Sequence, residues 1–265
     1  MPIKSLTFDA KKTIKGKFKP STKAERDFSR AIKKVARASG SIVDAHVDGV
    51  KIVNPKEMQK ALEDYSRLIT PWAARQSAKL LEQVQKSNAR AYANKSKLMG
   101  KLLKSNVDES EVGIIARALL EEQVALIKSI PTEAGLRAQK IAYEAVLAGT
   151  RAEANEDTIA ELQKQLGLST EVAVSRAQLI AVTETARANA AINQSRAMVN
   201  GSSQYRWHNS GDGAVRHSHK VYKGKPMQGR IFSWDDPPTL DDGTKGHPGT
   251  FPRCRCFAEP VFDDE

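Results

Sequence analysis

The chain has 265 residues, 40% hydrophobic and 28% charged, with a formal net charge of +11. That length carries one large domain or two smaller ones. No apolar run approaches the roughly 20 residues of a membrane span, and the lysine-bearing N-terminus lacks the apolar stretch of a secretory leader. The sequence is therefore read without membrane association.

The charge is concentrated at the start. Residues 1–40 hold twelve Lys/Arg against three Asp/Glu, whereas residues 201–265 hold nine of each. Residues 1–21 read as a basic arm carrying Lys11, Lys12, Lys15, Lys17 and Lys19, kept extended by like-charge repulsion. It suits either DNA phosphates or an acidic protein surface. The apolar Ile3, Leu6, Phe8, Ile14 and Phe18 favour protein docking, since they would be wasted on phosphates.

Residues 22–200 are helical in composition: rich in Ala, Leu, Lys, Glu, Gln and Arg, and poor in Gly and aromatics. Thr22 to Glu25 reads as a capping box, and Asn54-Pro55 with Glu57 as a second helix start. Thr70-Pro71 restarts a helix toward Leu103. Asp108 to Glu111 caps another, and Pro131-Thr132 opens the next. A short helix begins at Asn155 or Asp157 and ends at Gly167. The last long one is capped by Ser169 or Thr170 and stops at Asn200-Gly201. A division near 105/106 separates an N-terminal from a central helical region.

After Gly201 the texture changes. Residues 201–265 contain half of the sixteen Gly and both Cys. The short runs "QYRWH", "KVY", "RIFSW" and "CFAEPVF" read as strands between turn-forming clusters. The expected fold is mainly α, with an extended helical N-terminal region packed against a compact C-terminal α+β module. Sixty-five residues make a marginal core, so the module should lean on the preceding helix or on a metal.

Two constellations stand out. On the last long helix, Glu184 and Arg187 are spaced to pair, either as a surface ion pair or with Glu184 reaching into the module. In the module, His217 and His219 share a face if extended, as do Cys254 and Cys256. Together they form a His₂Cys₂ set suited to zinc, with His247 as a competing ligand. The other reading is that the cysteines are small buried apolar groups. The chain has no phosphate-binding glycine loop and no serine-centred elbow, and no catalytic residue is assigned.

The order of motifs resembles the phage Mu protein F-like head morphogenesis family, the minor capsid proteins of tailed phages. A helix with "LIAVTETARANAAINQSRA" leads into "YRWHNSGDGAVRHSH", then "GKPMQGRIFSWDDPP" and "HPGTFPRCRCFAEPV". The resemblance is strongest over 110–262. It maps the family's motif positions onto Glu184, Arg187, Asn189, Trp207, Asp212, Arg216, His219 and His247, and implies that Glu184 anchors the helix to the module. It implies a virion protein, made in a bacterial cytoplasm, that binds portal protein and major capsid or scaffold protein and contacts packaged double-stranded DNA. No cofactor is required, a structural zinc being the one candidate. The alternative is a DNA-binding or metal-dependent DNA-processing protein acting at packaging or ejection.

Overall fold

The structure is a computed structural model and describes residues 18–100, 102–104, 109–150 and 156–262. Lys11, Lys12, Lys15 and Lys17 lie outside the described residues. The helical part comprises α1 (Thr22–Asp44), a hairpin of β1 (Val47–Asp48) and β2 (Lys51–Ile52), α2 (Pro55–Leu68), α3 (Thr70–Met99), α4 (Glu109–Thr150), α5 (Glu156–Gly167) and α6 (Ser169–Val199). The C-terminal part comprises β3 (Gln204–His208), α7 (His217–Lys220), β4 (Val221–Tyr222), β5 (Lys225–Pro226), β6 (Ile231–Ser233) and β7 (Phe257–Val261). The fold is thus mainly α with a small C-terminal α+β part, as the sequence indicates.

Helix α6 is the axis of the bundle. Its burial extends around most of its circumference, through Ala177, Ile180, Ala181, Glu184, Ala188, Asn189, Ile192, Asn193 and Ala197. A helix buried all round needs small residues where neighbours come close. Against α1 the approach is tightest at Gly40, where an added Cβ would fall 1.8 Å from Thr170 Oγ1. Ser29 Oγ donates to Gln178 Oε1 across the same contact at 2.7 Å. The main core gathers Phe28, Ile32 and Val35 of α1, Leu80 and Val84 of α3, Ile127 and Ile130 of α4, and Ile180 and Ile192 of α6. A second core joins Val43, Met58, Leu62, Ala138, Ile141 and Leu166 at the far end.

Several helix starts differ from the sequence reading. Ser21, not Thr22, caps α1, accepting from Ala24 N at 3.2 Å. Glu25 is thereby released from the capping box and pairs with Arg255 at 2.8 Å. Asn54 precedes α2 in a left-handed conformation and makes no side-chain cap. Leu168 precedes α6, while Ser169 Oγ donates back to the Leu166 carbonyl at 2.6 Å. Helix α3 stops at Gly100, whose φ of +62° a glycine adopts freely, rather than running on to Leu103.

The largest difference is at Pro131, which opens no new helix. It lies inside the 42-residue α4. Proline removes one helical donor and crowds the preceding turn. Burial on both sides of it offsets that cost: Ile127 and Ile130 lie in the main core, Ala134 and Ala138 in the second. Ser66 of α2 donates to the Lys128 carbonyl at 3.0 Å beside the interruption.

In the C-terminal part, β3 is the central strand of a three-stranded antiparallel sheet in the order β6-β3-β7. Its register places Trp207 opposite Ala258 and Tyr205 opposite both Phe232 and Pro260. Alternation sends Tyr205 and Trp207 into a core shared with Met227, Trp234, Leu240, Cys254, Cys256 and Ala197 of α6. A further cluster joins Phe18, Tyr92 and Leu103 to Phe257 and Phe262. The C-terminal sheet therefore shares its apolar surface with the helices, as a core this small requires.

Candidate functional site: a histidine–cysteine cluster on the face of the central helix

Residues 252–256 lead into β7, and Arg253 Nα donates to Thr183 Oγ1 of α6 at 3.1 Å. The preceding turn depends on Gly249, with φ of +91°. A Cβ there would lie 3.1 Å from the Cys256 carbonyl and 3.2 Å from the Ala186 carbonyl of α6. The His-Pro-Gly motif is thus the point where backbone meets backbone. Its His247 Nδ1 lies 3.1 Å from Tyr205 Oη, and burial pulls the imidazole below its ordinary pKa.

In the extended stretch after this turn, Cys254 and Cys256 present their sulfurs to one side. His219 of α7 meets them there. Its Nδ1 is 3.4 Å from Cys254 Sγ and 3.6 Å from Cys256 Sγ, and all three side chains are buried. Trp207 and Phe251 pack against the imidazole ring, with centroids at 5.6 and 4.9 Å. The hydrogen bond from Cys256 draws the Cys254 thiol well below its ordinary pKa against the opposing effect of burial, with His219 adding to it. The same bond, together with burial, raises Cys256.

His217 takes no part in this cluster. The segment expected to be extended forms the helical turn α7, so residues two apart diverge: His219 is buried and His217 is exposed. His247 is turned to Tyr205 instead. The group that unites metal-ligating side chains among the described residues is His219, Cys254 and Cys256.

All three residues line a cavity of about 500 Å³ whose walls also include Asp212, Arg216, Arg253 and Arg255. Asp212 is exposed and accepts from Ala214 N at 3.1 Å, shaping the loop before α7. Arg216 donates to the Pro252 carbonyl at 2.7 Å, holding that loop to the cysteine segment. Trp207 is fully buried at the back of the cluster.

The helix motif serves other contacts. Glu184 is 1% exposed, and its Oε1 accepts from Arg187 at 3.0 Å. Arg187 also holds Glu122 of α4 through both guanidinium nitrogens, at 2.6 and 3.0 Å. Burial raises the Glu184 carboxyl above its ordinary pKa, with Arg187 opposing. Glu184 therefore faces α4, and the anchoring of the module falls to a neighbouring stripe. Asn193 Nδ2 donates to the Ala258 carbonyl at 2.9 Å, Thr183 receives Arg253, and Gln194 Nε2 reaches the Trp234 carbonyl at 3.4 Å. Asn189 Nδ2 donates to the Phe18 carbonyl at 3.0 Å, seating the end of the basic arm. Phe18 is 1% exposed and Lys19 Nζ donates to the Ser210 carbonyl at 3.3 Å, so residues 18–21 are docked rather than extended.

Sequence reasoning missed a buried ionic group at the same junction. Lys95 of α3 lies 3.3 Å from Glu259 of β7, whose other oxygen is 2.7 Å from His208 Nε2. Gln228 Nε2 lies 2.7 Å from His208 Nδ1. Burial raises the Glu259 carboxyl, but the hydrogen bond to His208 and the charge of Lys95 outweigh it, leaving the pKa lowered. The one signal in the sequence is an acid inside the apolar run "CFAEPVF", which must find a partner if the strand is buried.

Comparison with known proteins is consistent with this layout. Residues 137–259 match the family described as Phage Mu protein F like protein. A Haemophilus influenzae protein, described as an uncharacterized protein, is 35% identical over 147 residues, covering 56% of this chain and 29% of its own length. The chain therefore spans less than a third of that relative. No solved structure matches. The matched segment runs from the second half of α4 through α6 to β7, so it contains the cluster, its cavity and the helix that carries them. Over residues 137–259, this chain is similar to the Phage Mu protein F-like family.

Proposed function

We propose that this is a minor head protein of a tailed phage, acting in head morphogenesis by docking onto portal and capsid or scaffold protein rather than by catalysis. The match of residues 137–259 to the Mu protein F-like family supports the setting. The observation that carries the docking is a second apolar face on α4. Ala134, Ala138, Ile141 and Ala145 are buried on one side of the helix. On the other, Leu136, Tyr143, Val146 and Leu147 are 54%, 65%, 58% and 40% exposed. Spacing by seven, three and one places these four on a single stripe.

That stripe borders a groove of about 860 Å³ between α4 and the β2–α2 segment. Its floor includes Ile52, Pro55, Ala142, Tyr143 and Val146, and its rim carries Lys51, Lys56 and Lys60 against a single Glu63. An amphipathic helix with acidic flanks on a head protein is the complementary occupant. No helix among the described residues is long and apolar enough to cross a membrane. The arm lysines Lys11, Lys12, Lys15 and Lys17 would add a second, electrostatic contact to acidic protein or to packaged DNA.

The test is incorporation. Tyr143→Glu combined with Val146→Glu is expected to abolish co-purification with the phage's portal and capsid proteins while the far-ultraviolet circular dichroism stays unchanged. Normal incorporation of the folded double variant would overturn the reading.

A further inference from the structure

We propose that His219, Cys254 and Cys256 bind one zinc ion, with the fourth coordination position open to the adjoining cavity. The proposal is independent of the docking reading, because it rests on this cluster alone.

The geometry is the first argument. Zinc bonds of about 2.3 Å to sulfur and about 2.0–2.1 Å to nitrogen, at the tetrahedral angle, separate sulfur from nitrogen by about 3.6 Å. The two separations here are 3.4 and 3.6 Å. The ligand atoms of all three residues lie within 4.8 Å of one another. An ion can therefore be accommodated with side-chain adjustments smaller than a bond length.

The charge balance is the second. Two thiolates and a neutral imidazole around a divalent cation make a set with no net charge, which a buried site tolerates. Without an ion, a single Nδ1 faces two sulfurs, and it can donate to one of them or accept from one of them. A cation lets both sulfurs and Nδ1 act as electron-pair donors at once.

Placement is the third. His219 lies on α7, whereas Cys254 and Cys256 lie in the segment seated on α6. An ion at their meeting point would close the loop of residues 209–220 onto that segment, beside the contact from Arg216 to Pro252. The ligands line the cavity wall, and among the described residues the walls provide no further side chain within the ligand group. The fourth position is therefore left to water or a small anion, which Arg216 and Arg253 on the same walls would favour.

The full chain, purified without chelator and desalted after incubation with zinc sulfate, is expected to retain about one equivalent of zinc. Cobalt substituted for zinc should give thiolate charge-transfer bands and intense visible bands of tetrahedral coordination, and added azide should shift the visible bands. Cys254→Ser and His219→Ala should lose the metal, while the exposed neighbour His217→Ala should keep it. Wild-type protein that retains less than about a tenth of an equivalent would overturn the site. So would a cobalt spectrum without thiolate bands, a measurement that does not depend on any variant folding. Visible bands unmoved at saturating azide would overturn the open position.

Discussion

Asn193 of the central helix donates to the carbonyl of Ala258 near the start of the last strand, 2.9 Å away. Its own side-chain oxygen accepts from Asn88 at 3.3 Å, and its backbone carbonyl accepts from Tyr92 Oη at 2.9 Å. Asn88 in turn accepts from Arg196 at 2.6 Å. One residue thus joins α3, α6 and β7 through groups that are all buried.

Replacing Asn193 by alanine should leave the Ala258 carbonyl and the Asn88 amide without partners, costing about 1–3 kcal/mol for each unsatisfied group. The loss should fall on the C-terminal sheet, because the Ala258 carbonyl belongs to its strand β7. Urea denaturation with limited proteolysis would detect it as earlier cleavage within residues 202–262. Glu184→Ala is the contrasting variant. It should weaken the α4–α6 contact and leave the cleavage pattern of the sheet unchanged, since Glu184 faces Arg187 and α4.

Glu259 gives a pH dependence with a defined sign. Its folded pKa is lowered, so the stability it contributes is complete above the ordinary glutamate value and is lost as pH falls through the folded value. Acid titration followed by tryptophan fluorescence should show the sheet loosening in that window. Glu259→Gln should flatten this acid-dependent step. At neutral pH, Glu259→Ala should cost about 1–3 kcal/mol, since it removes a buried carboxylate hydrogen-bonded to both Lys95 and His208. A loss at neutral pH under about 1 kcal/mol, the scale of an exposed pair, would show that the Glu259 contacts contribute little to the sheet.

Phe18 packs edge-on against Tyr92 with ring centroids 5.3 Å apart. Phe18→Ala should cost about 3–5 kcal/mol, the usual range for a buried phenylalanine. A thermal melt of the variant measures this directly. An unchanged midpoint would mean that the basic arm is free down to the helix cap at Ser21.

Much of this architecture is legible in the sequence, because helix boundaries depend on local chemistry. Pro55, Pro71 and Gly201 mark their helix ends within a residue or two, and "QYRWH" reads as a strand. Pro131 misleads because burial on both sides outweighs a local penalty. The cysteine–histidine grouping is visible in residue types, but its membership is not: whether 217–219 is extended or helical decides which imidazole turns inward. Lys95 and Glu259 lie 164 residues apart, and no local pattern links them.

The seat of Phe18 has a temporal consequence. Its walls come from Tyr92 and from Phe257 and Phe262, and Glu25 in the first turn of α1 is matched by Arg255. During synthesis the earliest helix must therefore wait, partly uncovered, until the chain has been made through residue 262. The start of α1 is consequently a surface that a growing chain displays and a finished one conceals. A nascent copy and a finished one therefore differ in the apolar edge they expose at the start of α1.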